Sequence, residues 1–215
     1  MWYSINMRKH KFVIGEYYHV YNRGTEKRDI VLEEYDLERF LESMELFNSL
    51  EPIGSIFEFS REEEKPNIKN NKSNKKLVSF VAFCVNPNHF HFLITPLVEN
   101  GIEKFMHRIG GYTRYFNEKY KRSGALFQGR FKSKHISDNK YLLHLSAYIN
   151  MNNRNKFGKS FSKLSESSLE EYIENKNGFC DKKIILEQFK NPKEYLDFAL
   201  GSWQDSLARK TALKI

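Results

Sequence analysis

Two histidines one residue apart, in Asn88-His89-Phe90-His91, close a short apolar run, and much further along Tyr148 precedes Asn152 by four positions. Side chains on an extended strand alternate between faces, so His89 and His91 point one way while Phe90 and Phe92 point the other. Two neutral imidazoles on one face can hold one cation. Residues four apart on a helix also share a face, so Tyr148 can present its hydroxyl beside a metal that Asn152 helps to bind. The pattern suggests metal-assisted attack by a tyrosine. A phenol of ordinary pKa, about 10, is a poor nucleophile until a cation stabilises the phenolate. A divalent ion on His89, His91 and Asn152 would do that and would polarise a phosphate oxygen. Two nitrogens and one amide oxygen suit Mg²⁺ or Mn²⁺, and imidazole tilts the intrinsic preference towards Mn²⁺. No phosphate-binding Gly-rich loop is present.

Other residues compete for these roles. Tyr141 lies two turns before Tyr148 and is the next candidate nucleophile. His144, one turn before Tyr148, either assists proton transfer or is a surface histidine. Cys84, five residues before His89, is either a ligand or a small buried strand residue.

The elements that must position these groups are readable from periodicity and turn signals. Glu16 to Gly24 is rich in β-formers and reads as a strand. Tyr35 to Leu50 carries a helical apolar stripe. The polar, charged stretch from about Arg61 to Lys76 reads as a solvated insertion. Leu77 to Val85 and His89 to Pro96 read as a hairpin about Asn86-Pro87-Asn88. Gly101 to Tyr120 is expected as one helix, the segment from Gly124 leads into a strand near Ile136, and Ser137-Asp138 caps a helix from Lys140 to about Asn152. This order predicts an α+β fold, an antiparallel sheet with helices packed on it. Shorter helices are expected at Ser165 to Glu174, at Asp181 to Phe189 and from Asn191-Pro192 to about Leu207. The domain organisation expected is 1–157 for the catalytic unit and 158–215 for a small C-terminal helical extension.

Composition sets the class of partner. With 35 Lys+Arg against 27 Asp+Glu, the net charge of +8 favours a polyanion. Phosphate contacts are expected from Arg23, Arg114, Lys121, Arg122, Arg130 and Lys132, with Arg108, Lys119 and Lys134 as further cations and Gln128 inside the same Gln128-Gly129-Arg130-Phe131-Lys132 block. Phe127 and Phe131 are candidates to stack on a base or to pack in the core. No apolar run is long enough to span a bilayer and the start lacks a signal-peptide core, so a cytoplasmic, nucleoid-associated protein is expected, with no membrane partner. Cys84 and Cys180 form neither a disulfide framework nor a zinc motif.

Three blocks, Asn86-Pro87-Asn88-His89-Phe90-His91-Phe92-Leu93-Ile94, Tyr115 to Lys132, and Tyr141-Leu142-Leu143 with Ala147-Tyr148-Ile149-Asn150-Met151-Asn152, resemble the REP-associated tyrosine transposases. These are single-tyrosine HUH nucleases, where HUH denotes His, a bulky hydrophobic residue, His. The resemblance runs from about Gly15 to Asn152. It implies a ferredoxin-like catalytic fold that cuts single-stranded DNA beside a hairpin and forms a 5′-phosphotyrosine link, with His89, His91 and Asn152 as metal ligands and Tyr148 as nucleophile. Family members usually carry proline where this chain has Asn153. A catalytically silent nucleic-acid-binding protein and a metal-dependent ribonuclease are the alternative functions, and the oligomeric state, monomer or homodimer, is left open.

Overall fold

A computed structural model describes residues 11–54, 56, 75–155, 159–160, 162–174 and 176–212. The expected polar insertion lies outside these residues as far as position 74. The strands are β1 (Tyr17–Arg23), β2 (Val78–Asn86), β3 (His89–Pro96), β4 (Lys132–Ile136) and β5 (Glu166–Ser167), joined in one antiparallel sheet of order β4-β1-β3-β2-β5. The helices are α1 (Glu34–Leu46), α2 (Gly101–Ile109), α3 (Gly111–Lys119), α4 (Asn139–Asn150), α5 (Leu169–Ile173), α6 (Lys183–Leu186) and α7 (Pro192–Ala212).

Strand alternation sorts the side chains into two cores. Tyr18, Val20, Phe80, Phe83, Phe90, Phe92 and Ile94 are buried on one face against α1, α2 and α3. Cys84 and Leu93 project from the other face into a core completed by Leu142, Leu145 and Ile149 of α4 and by Tyr195, Ala199 and Trp203 of α7. The sheet therefore lies between two helical layers. The β2–β3 turn is pinned from outside, since Gly24 N–H donates to Asn88 O at 2.9 Å and Val31 N–H to Pro87 O at 3.0 Å. The first histidine of the pair follows that turn directly, as the first residue of β3.

Three elements differ from the sequence reading. The helix expected from Gly101 to Tyr120 breaks at Gly110, whose N–H donates to His107 O, an i→i−3 bond that tightens the turn where the Gly110-Gly111 pair offers no side chains to hold the axis straight. The helix holding Tyr148 ends at Asn150, so Asn152 stands in the following turn, its N–H donating to Ile149 O at 3.1 Å. The segment expected as a helix from Ser165 starts as β5, because the edge of β2 offers backbone partners there and Phe83 N–H donates to Ser168 Oγ at 2.9 Å. The caps at Asp138 and Asn191 form as expected, accepting from Tyr141 N–H at 2.7 Å and Glu194 N–H at 3.0 Å. Among the described residues no helix is long and apolar enough to cross a membrane.

Candidate active site

Strand register assembles the site. On the face that meets α4, Tyr21 of β1 and Cys84 of β2 flank His91, while Arg23 and Asn86 flank His89. Lys132 of the edge strand β4 stands beside Tyr21. One row across the sheet therefore reads Lys132, Tyr21, His91, Cys84, and the next reads Arg23, His89, Asn86. The turn after α4 lowers Asn152 onto the second row: its Oδ1 lies 3.1 Å from His89 Nε2 and accepts from Asn86 Nδ2 at 2.9 Å.

Hydrogen bonds on the far edges of the imidazoles orient both rings. His89 Nδ1 meets Asn88 Oδ1 at 2.6 Å; a carbonyl oxygen only accepts, so Nδ1 carries the hydrogen and Nε2 the lone pair. His91 Nδ1 meets His19 Nε2 at 2.9 Å, with Tyr21 stacked on His19. Burial, with Lys134 adding to it, brings the His19 pKa down to about 4, so His19 is neutral and can accept that hydrogen. Both histidines then turn Nε2 away from their anchors, the orientation that metal-binding imidazoles need.

The donor set fits a hard divalent ion. Neighbouring ligands on an octahedral ion with bonds of about 2.1 Å lie about 3.0 Å apart, and His89 Nε2 and Asn152 Oδ1 are separated by 3.1 Å. Two acceptors facing each other at that distance favour a cation between them. Burial raises the Cys84 thiol well above its ordinary pKa, so it provides no thiolate; its sulfur accepts from Asn86 Nδ2 at 3.3 Å and from the Asn153 N–H. A proline at 153 would have no such N–H to give. Among the described residues no three His, Cys, Asp or Glu side chains come together as a metal cluster, so a cation here would take its third protein ligand from an amide.

Tyr148 closes the site from α4. Its ring meets His91 edge to face at 5.6 Å and Trp203 of α7 at 6.2 Å. Burial raises the phenol's pKa, while a hydrogen bond from Asn152 and the charge of Arg23 pull it the other way. Tyr148, His89, His91 and Asn152 line one cleft of about 550 Å³ together with Tyr21, Asn22, Arg23, Gln128, Lys132, Trp203 and Leu207.

The remaining sequence candidates are dispersed. Gln128 reaches the cleft because its N–H donates to Arg23 O at 2.8 Å and the chain then turns through Gly129 at φ +70°, a conformation that suits glycine. Arg130 is exposed just beyond, and Phe127 packs edge-on against Phe90 at 5.7 Å on the opposite face. Arg114 pairs with Glu118 on α3, and Lys121 and Arg122 follow that helix, with Arg122 over the Phe116 ring. Arg108 donates to the carbonyls of Phe47, Ser49 and Leu50 after α1, and Lys119 is tied to Asp36 at 2.8 Å. Tyr141 lies under Lys134, whose Nζ is 4.3 Å from the ring centroid, and His144 is bonded to Ser202 Oγ at 2.9 Å. Sequence reasoning missed His19, Tyr21, Asn86, Trp203 and Leu207. The strand alternation already puts His19, Tyr21 and Arg23 on one face, but their pairing with β3 needed the register.

Fold and site together define a protein with an antiparallel sheet that presents a histidine pair to a helix-borne tyrosine. Residues 55–152, a stretch that holds both histidines, Tyr148 and Asn152, match the family described as Transposase IS200 like. A solved structure of a REP-associated tyrosine transposase bound to a REP hairpin is similar over 69% of this chain and 72% of that one, at 16% identity and a TM-score of 0.42. No curated protein matches significantly.

Proposed function

We propose that this protein is a divalent-metal-dependent endonuclease and strand transferase that cuts single-stranded DNA beside hairpin-forming repeats, with Tyr148 as nucleophile and His89, His91 and Asn152 as ligands of Mg²⁺ or Mn²⁺. The observation that carries this reading is the convergence of those four side chains, from β3, α4 and the turn after it, in one cleft flanked by Arg23 and Lys132. A bound divalent ion would supply charge to the phosphate oxygens and to the phenolate.

The chain's own residues do the rest. Tyr148 Oη attacks the scissile phosphorus as the bond to the 3′ oxygen breaks; a 5′-phosphotyrosine ester forms, and the phenolic proton is balanced by the one taken up at the leaving 3′-hydroxyl. Asn152 donates to the Tyr148 oxygen and so favours its ionised form, and Arg23 adds positive charge. Lys132, Arg23 and Gln128, which line the cleft, are suited to hold the phosphates on either side of the scissile bond. Trp203 and Leu207 exclude water from the tyrosine's side of the cleft. Residues 158–215 act in this reading as an extension that completes the catalytic unit 1–157.

Incubating the protein with labelled hairpin-bearing single strands and Mn²⁺ or Mg²⁺ tests the reading on a denaturing gel. The expected result is a protein-linked DNA band that needs the metal, His89 and His91. Binding without any adduct supports a silent DNA-binding protein, and cleavage of ribose strands without an adduct supports a ribonuclease.

A further inference from the structure

The geometry points to Asn86 as a positioning residue that sets which end of the Asn152 amide faces the metal position. This rests on the reading of Asn152 as a ligand. Asn86 is 7% exposed, on the site face of β2 directly opposite His89. Its Nδ2 makes three approaches: 2.9 Å to Asn152 Oδ1, 3.3 Å to Cys84 Sγ and 3.4 Å to His89 Nε2.

An asparagine amide has two ends of nearly equal size, and only the oxygen can bind a cation. Asn152 stands in a turn beyond the end of α4, so the helix does not dictate its side-chain rotation. Two contacts decide it. Asn86 Nδ2 can only donate, so it requires the oxygen of Asn152 on its side, beside His89. The other end, Nδ2, is then turned to the Tyr148 hydroxyl and donates to it. Reversing the amide would set Nδ2 against Nδ2 at Asn86 and put a nitrogen where the metal needs an oxygen. Asn86 itself is held by Cys84 Sγ, which also receives the Asn153 N–H, so the strand and the turn share one anchor. Asn86 thus acts on the ligand without being one.

The test is a double-mutant cycle on Mn²⁺ affinity, read from the free-ion EPR signal of the full chain without DNA, using Asn86→Leu, Asn152→Ala and the double variant. Outer-shell partners of metal ligands are typically worth tenfold to a hundredfold in affinity, so Asn86→Leu is expected to weaken Mn²⁺ binding about tenfold and to have no further effect once Asn152 is alanine. Unchanged affinity in Asn86→Leu overturns the inference, and so does an equal loss with and without Asn152, which would make Asn86 a general support of the fold. If the leucine variant fails to fold, Asn86→Ser carries the same cycle. The Asn152 side-chain amide resonances, assigned by their loss in Asn152→Ala, should shift in the folded Asn86 variant while those of Asn150 stay; unmoved Asn152 resonances also refute it. His89→Ala/His91→Ala is the separate control: wild-type protein that binds Mn²⁺ no better than this variant removes the metal reading itself, whatever Asn86 does.

Discussion

Replacing Asn152 by aspartate separates the two tasks assigned to that residue. As a ligand, a carboxylate 3.1 Å from His89 Nε2 is stronger than an amide, so Mn²⁺ should bind more tightly. As a donor, it fails: the N–H that favours the Tyr148 phenolate is gone and a negative charge takes its place. Two unit charges about 4 Å apart at an effective dielectric of about 20 repel by about 4 kcal/mol, close to three pKa units at about 1.4 kcal/mol each. A bound cation offsets part of that repulsion, which leaves roughly 1.4 to 3 kcal/mol and a tenfold to hundredfold fall in adduct formation near neutral pH. The rate should recover as pH rises, since the phenol is raised rather than removed. The assay pairs an Mn²⁺ titration with single-turnover adduct formation between pH 7 and 10. An aspartate variant that keeps the wild-type rate at pH 7 refutes the donor role, and one that binds Mn²⁺ less tightly refutes the ligand role.

Lys132→Ala should weaken single-strand binding and lower the salt-dependence slope by about one, whereas Arg114→Ala, on α3 and paired with Glu118, should leave both unchanged in a filter-binding titration. Trp203→Ala removes a side chain that is 5% exposed and lies against Tyr148, so denaturant melts should show a loss of about 3 kcal/mol and the Tyr148 phenol should ionise at lower pH by absorbance titration. Burial pushes the Asp36 carboxyl up, but bonds from Lys119, Tyr120, the Leu32 N–H and Tyr115 outweigh it and leave the pKa depressed. A depressed folded pKa means that this contribution to stability is full above the ordinary carboxylate range and is lost as pH falls through the folded value. Asp36→Asn should cost about 3 kcal/mol at pH 7 and flatten the acid limb of the stability curve; equal acid limbs in both proteins would contradict this.

Much of this was legible from local pattern. The His-Phe-His alternation, the Asn-Pro-Asn turn and the capping Asp138 depend on neighbours in sequence, and β3, its hairpin and α4 follow from them. What stayed hidden depends on register and on packing between distant segments. Nothing near His19 marks it as the partner of His91; the β1–β3 pairing does. Asn86 looked like a turn residue because it precedes proline, yet it closes β2 and projects into the site. The helix after Asn191-Pro192 is expected, but only its packing on α4 brings Trp203 against Tyr148 and Leu207 into the cleft. Charge was the least informative signal, since Arg108 and Lys119 serve the ends of α1 while Arg23 and Lys132 reach the cleft.

Tyr148 is the residue proposed to become covalently joined to DNA, and peptide mapping of the adduct locates the bond. Trypsin should release Tyr141 to Arg154 as one peptide carrying both candidate tyrosines, and fragmentation distinguishes them. After reaction with a hairpin-bearing single strand, Mn²⁺ and nuclease trimming, the residual nucleotide mass is expected on Tyr148, with no adduct in Tyr148→Phe. Mass on Tyr141, or an adduct that survives in Tyr148→Phe, would contradict it.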